Sequence, residues 1–162
     1  MNFYSPNRLF VLIISLFLVC SCKVNNADPK PTTVSETKRI TDGLTGKSWK
    51  AQKVQEGTQT VYQAGQAGNV YPGYQNYLLA FTGGKAKLTE YTNEAFDGDW
   101  AISETGSRTY LTLRNLTPPP SNSAGMLEFE VNSFSDTQLV ITTSKPNLKT
   151  GNTINVYTLI PK

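Results

Sequence analysis

Residues 76–91 read NYLLAFTGGKAKLTEY. The first seven, Asn76–Thr82, are apolar and rich in β-formers. Gly83-Gly84 follows, and both positions tolerate a positive φ, as a two-residue hairpin turn demands. Beyond the turn, Lys85–Tyr91 alternates, with Ala86 and Leu88 on one face and Lys85 and Lys87 on the other. A period of two on both sides of a Gly-Gly pair is an antiparallel hairpin.

The same grammar runs outward in both directions. Upstream, Ser48–Glu56 and Gln59–Gln63 read as strands. Downstream, Asp97-Gly98 reads as another tight turn before a strand at Trp100–Ser103. Arg108–Leu113 places Leu111 and Leu113 on one face, opposite Tyr110 and Thr112. Met126–Phe134 places Leu127, Phe129 and Val131 inward and Glu128, Glu130 and Asn132 toward water. Gln138–Thr143 and Thr153–Ile160 complete the set. About nine short strands with no convincing amphipathic helix predict an antiparallel all-β sandwich or up-and-down barrel. A barrel or strongly curved half-barrel of about 8–9 strands is preferred, because closure removes free edges. Trp49 and Trp100 are expected to plug its floor, with Leu79, Phe81, Leu88, Ile102, Leu111, Leu113 and Val140 lining the interior. Asn115–Ala124 (NLTPPPSNSA) is stiffened by Pro118–Pro120 and predicts a crossing over one end.

Ahead of the strands, the N-terminus sets an address. Arg8 precedes an apolar run, Leu9–Val19 (LFVLIISLFLV). Its length suits a secretory signal and falls short of the roughly 20 residues a membrane span needs. The run ends in Val19-Cys20-Ser21-Cys22, which resembles the bacterial lipobox, with Val19 at −3 and Ser21 at −1 of Cys22. That resemblance implies a diacylglycerol on the Cys22 sulfur and cleavage before it. The expected organisation is a signal at 1–21, a lipidated flexible tether at 22–43 and a β-domain at 44–162. The tether (KVNNADPKPTTVSETKRITDG after Cys22) is polar, lacks apolar periodicity and carries at most a helical turn near Ser35–Ile40. The chain's two cysteines both lie in this N-terminal stretch, so the mature domain has no disulfide and depends on its core. The cell envelope is therefore the expected location. Lys23 stands where an Asp would favour the inner membrane, which directs the expectation to the outer one.

Several segments resemble a known family. They are Leu44-Thr45-Gly46-Lys47-Ser48-Trp49-Lys50, Gly98-Asp99-Trp100-Ala101-Ile102, Thr137-Gln138-Leu139-Val140-Ile141 and Val156-Tyr157-Thr158-Leu159. Together they resemble the lipocalin-like lipoproteins common in Bacteroidetes, across about residues 44–162. The opening motif is Gly-x-x-Trp, where true lipocalins carry Gly-x-Trp. The resemblance implies a lipocalin-like barrel and an envelope location, and no defined ligand.

Candidate chemistry is sparse. The sequence contains no histidine, which removes the commonest general base and zinc ligand. A net charge of +3 without a basic block argues against nucleic acid as a partner. Asp97 and Asp99 read better as turn residues than as a calcium site, which would need more oxygens at fixed spacing. Glu128 and Glu130 read as a solvated strand face rather than as a catalytic pair. Gly46-Lys47-Ser48 lacks the first glycine of a phosphate loop. No catalytic residue, metal or cofactor is assigned, and the chain is not expected to be an enzyme. The suggestive segment is Tyr62–Tyr77 (YQAGQAGNVYPGYQNY), where rigid amphipathic rings alternate with Gly and Pro. Tyr62, Tyr71, Tyr74 and Tyr77, with Leu79, Phe81 and Leu113 below them, are the candidate ligand contacts at an open barrel end. Two functions follow. One is an anchored binding module for a small apolar or amphipathic ligand or a glycan. The other is an accessory lipoprotein with a filled barrel, docking to an envelope protein.

Overall fold

α1 (Glu36–Leu44) opens the described chain, and nine antiparallel strands follow it. They are β1 (Ser48–Glu56), β2 (Gln59–Gln63), β3 (Leu78–Thr82), β4 (Lys85–Thr89), β5 (Ala95–Thr105), β6 (Arg108–Thr117), β7 (Leu127–Phe134), β8 (Leu139–Thr143) and β9 (Asn155–Pro161). The structure is a computed structural model and describes residues 35–162. The signal, Cys22 and residues 23–34 of the expected tether lie outside the described residues. Among the described residues, no helix is long and apolar enough to cross a membrane.

β1 closes the barrel. Along one edge it pairs with β9, from Trp49 opposite Pro161 to Glu56 opposite Asn155. Its other edge is shared, with β3 at Ser48–Lys50 and β2 at Lys53–Glu56. From β3 to β9 every strand pairs with the next. Eight strands therefore form a closed up-and-down ring, and β2 is an extra strand folded back along the upper part of β1.

Alternation decides which side chains enter. Leu79, Leu88 and Phe96 face one another across β3, β4 and β5 and are all buried, while Lys87 and Asp97 pair on the outer surface. Gly83-Gly84 forms the expected hairpin turn, with Gly83 at φ 56°. Asp97-Gly98 does not turn. It lies inside β5, at a register shift against β6. A Cβ on Gly98 would come within 2.5 Å of the Arg114 carbonyl, so this glycine serves close strand approach rather than a positive φ. The reversal falls at Glu90–Glu94 instead, where Asn93 takes φ 68°.

α1 is the other departure from the sequence reading, because residues 36–43 belong to the expected tether. Ser35 caps the helix, its Oγ accepting from the Lys38 amide at 3.3 Å. Ile40 and Leu44, four apart, are both buried in the core. The Arg39 guanidinium stacks 5.2 Å from the centre of the Phe134 ring, and Phe134 in turn packs 5.9 Å from Trp49. The helix thus closes the barrel end at which β1 begins and β7 ends. Above it the interior is filled. Phe81 packs on Trp100 at 4.7 Å, Trp100 Nε1 donates to the Gly83 carbonyl at 2.7 Å, and Leu111 and Leu113 are fully buried.

Candidate functional site

The opposite end is open. Four connections meet there: the 3-10 turn Pro72–Asn76, the β4–β5 turn, the β6–β7 loop and the β8–β9 loop. They surround a cavity of about 310 Å³. Its inner wall consists of Tyr77, Leu88, Phe129 and Tyr157. Tyr74 and Tyr91 form one side, and Met126, Lys145, Leu148 and Lys149 stand at the rim.

The aromatic wall follows from local sequence. Gly73 carries no side chain, and a Cβ there would lie 2.6 Å from the Tyr91 carbonyl, so only glycine lets the 3-10 turn approach the β4–β5 turn. That approach sets the Tyr74 and Tyr91 rings 4.9 Å apart. Tyr77 and Tyr157 stack at 4.7 Å with an interplanar angle of 16°, and Phe129 meets Tyr157 edge-on at 6.1 Å. The Tyr74 hydroxyl donates to Glu56 Oε1 at 2.7 Å.

Burial raises the pKa of all three inner phenols. It pushes Tyr157 up to about 12, with the Asn155 side chain pulling the other way and the Glu90 charge adding to the rise. Tyr77 stands well above the ordinary phenol value for the same first reason, reinforced by Tyr157 and Glu90. Tyr74 is also well above it, through burial and then the proximity of Tyr157 and Glu56.

One lysine reaches two carboxylates at the mouth. Lys149 Nζ donates to Glu90 Oε2 at 2.6 Å and to Glu94 Oε2 at 3.3 Å, and it lies 5.7 Å from the centre of the Phe96 ring. Burial works against the Lys149 charge, but the two carboxylates outweigh it and its pKa is raised. Glu94 is lowered by hydrogen bonds from Thr92 and Lys149. The loop that carries Lys149 is firmly rooted. Fully buried Asn155 donates to Thr150 Oγ1 at 3.0 Å and accepts from Thr153 Oγ1 at 2.8 Å.

Of the residues singled out from sequence, Tyr74 and Tyr77 line the cavity. Tyr62 is buried behind Tyr74, with ring centres 6.3 Å apart. Tyr71 is exposed beside Tyr91. Leu79, Phe81 and Leu113 are buried within the barrel and are not among the residues lining the cavity. Sequence reasoning missed Tyr157, Tyr91, Glu90 and Lys149. Alternation along β9 places Tyr157 on the Leu159 face, a usable signal. Glu90 and Lys149 stand 59 positions apart, and no local pattern joins them. Asp99 binds Lys85 and Asn115, and Glu130 binds Arg108. Among the described residues, no group of three or more His, Cys, Asp or Glu could hold a metal ion.

Fold and site together define an up-and-down β-barrel with one plugged end and one aromatic, open mouth. No family model matches the sequence, and no curated protein matches it. Among solved structures, the chain is similar to an uncharacterized protein from Bacteroides eggerthii, at 15% identity, covering 74% of this chain and 99% of that one, with a TM-score of 0.44. It is also similar to a lipocalin-like protein from Bacteroides uniformis, at 15% identity, covering 73% and 97% respectively, with a TM-score of 0.43.

Proposed function

We propose that this chain is an exported binding module, held on the cell envelope by acylated Cys22, that carries a small amphipathic ligand in its barrel mouth. The observation that carries the reading is the contrast between the two ends. One is filled by Trp49, Phe81 and Trp100 and closed by α1, while the other retains a cavity of about 310 Å³ with an aromatic wall. Ligand sites are concave, largely apolar and furnished with a few convergent polar groups, and this cavity meets that description. Catalysis is not part of the proposal, since the sequence has no histidine and Asp99, Glu130 and Glu90 are each engaged by a cation.

N-phenylnaphthylamine, a neutral dye that brightens in apolar surroundings, tests the reading. It should bind the protein, and Leu127→Trp, which fills the cavity from β7, should abolish the signal while leaving the thermal midpoint nearly unchanged. Equal fluorescence in the variant would place the dye elsewhere and remove the cavity as the binding site.

A second reading has its own support. Val70, Tyr71, Met126, Leu148 and Ile154 are large apolar side chains left exposed, and Met126 and Leu148 line the mouth. Grouped apolar exposure is the mark of a docking surface, so an envelope protein seated over the mouth is the alternative. Pull-down from envelope extracts with Met126→Glu and Leu148→Glu as controls separates the two.

A further inference from the structure

Three polar groups at the cavity have hydrogen-bonding capacity that the protein does not use. Glu90 Oε2 accepts from Lys149, whereas Glu90 Oε1 takes no donor among the described residues. A lysine ammonium has three protons, and Lys149 gives two of them to Glu90 and Glu94. The Tyr77 hydroxyl has no partner among the described residues. Neither it nor Glu90 Oε1 is among the buried atoms closed off from solvent. All three residues line the cavity, and Glu90 and Tyr77 are only 9% and 3% exposed.

Charge narrows the chemistry. The charged side chains that line the cavity balance, Glu90 and Glu128 against Lys145 and Lys149, and Lys149 is already engaged by Glu90 and Glu94, so an anionic head group would face the Glu90 carboxylate and a cationic one the Lys149 ammonium. Either must break the pair or leave a charge poorly compensated in a partly buried site. A hydroxyl does neither, because it donates to Glu90 Oε1 and accepts from Lys149 or Tyr77. Size narrows it further. About 310 Å³ lies at the bottom of the range for ligand pockets, room for a ring rather than for a long acyl chain. The stacked Tyr77 and Tyr157 offer an apolar aromatic wall for such a ring.

We infer that the ligand is an uncharged hydroxylated ring, the end of a glycan, whose neighbouring hydroxyls bridge Glu90, Lys149 and Tyr77 while its C–H face lies against the aromatic wall. This rests on the binding-module reading and assigns that module its substrate class. The test is saturation-transfer NMR on the full chain with methyl glucoside, methyl galactoside and N-acetylglucosamine as neutral probes. Decanoate and decylamine serve as charged ones, and bound N-phenylnaphthylamine as the common competitor. At least one glycoside should take up saturation and displace the dye. Tyr77→Phe and Lys149→Met, which keep the bulk of each side chain, should each weaken glycoside binding by about tenfold, a loss larger than any change they cause in dye affinity. If decanoate or decylamine displaces the dye and no glycoside does, the glycan assignment falls while the binding module stands. Failure of the dye itself to bind removes both. Glycoside binding indifferent to the two substitutions would overturn the assignment of Glu90, Lys149 and Tyr77.

Discussion

Tyr157 holds its phenol where a phenolate would lack solvation, between the Tyr77 ring and the edge of Phe129. A phenol whose folded pKa lies above its unfolded value keeps its contribution to stability below the unfolded pKa and loses it as pH rises through the folded one. Tyr157 stands at about 12, and Tyr74 and Tyr77 are raised as well. Stability should therefore fall as pH climbs from about 10, the ordinary phenol value. The phenolate absorbance of these three tyrosines should appear only together with loss of the β-sheet circular dichroism signal. Complete phenolate absorbance with an intact sheet spectrum would mean the inner wall is wetter than its packing indicates. At this scale the site was half legible. Tyr74 and Tyr77 could be found because rings set among Gly and Pro in one loop form a visible local pattern. Glu90 and Lys149 could not, because each is an ordinary surface residue type until the β4–β5 and β8–β9 connections bring them together.

Among the elements, α1 has a weight that its nine residues do not advertise. Two buried side chains, Ile40 and Leu44, fasten it over the barrel end, and its Gly43 lies so close to Phe134 that a Cβ would come within 2.4 Å of the ring. Leu44→Ala should cost about 3 kcal/mol. It should also loosen the Phe134–Trp49 layer, so acrylamide quenching of tryptophan fluorescence should rise along with the fall in unfolding midpoint. Unchanged quenching and stability would reduce α1 to a decoration of the barrel. Sequence reading allowed only a helical turn near Ser35–Ile40, because two apolar residues in a polar, Pro-preceded stretch look like a spacer; only the tertiary contact makes the i, i+4 pair meaningful. The strands were readable for the converse reason. Alternation in 85–91 and 126–134 is dense enough to state its own period, and Gly83-Gly84 gives the turn. Asp97-Gly98 misled because the dipeptide that suits a tight turn also suits a bulge where two strands crowd. Which one it serves depends on Arg114, seventeen residues away from Asp97 in the chain.

For the whole molecule, closure through β1 and β9 joins segments near the two ends of the described chain, and no disulfide assists it. Residues 23–162 contain no cysteine. Stability must come from the core and from a ring of hydrogen bonds that leaves few free edges, so a reducing agent should not move the unfolding midpoint. The same cysteine count makes the proposed anchor testable. Cys20 and Cys22 are the chain's two thiols, and the proposal assigns the lipid to Cys22 alone, with Cys20 leaving in the signal. Stable membrane residence needs two acyl chains, or one chain and a polybasic patch. Residues 23–162 carry no basic block that could serve as the second signal, so the proposed retention would depend on a diacylglyceryl cysteine. Growth with a clickable fatty acid should label the wild-type protein and the Cys20→Ser variant equally and leave Cys22→Ser unlabelled. Label that persists in Cys22→Ser and disappears in Cys20→Ser would move the anchor two residues upstream. No label in any of the three would end the lipoprotein proposal, while leaving the barrel and its cavity as they stand.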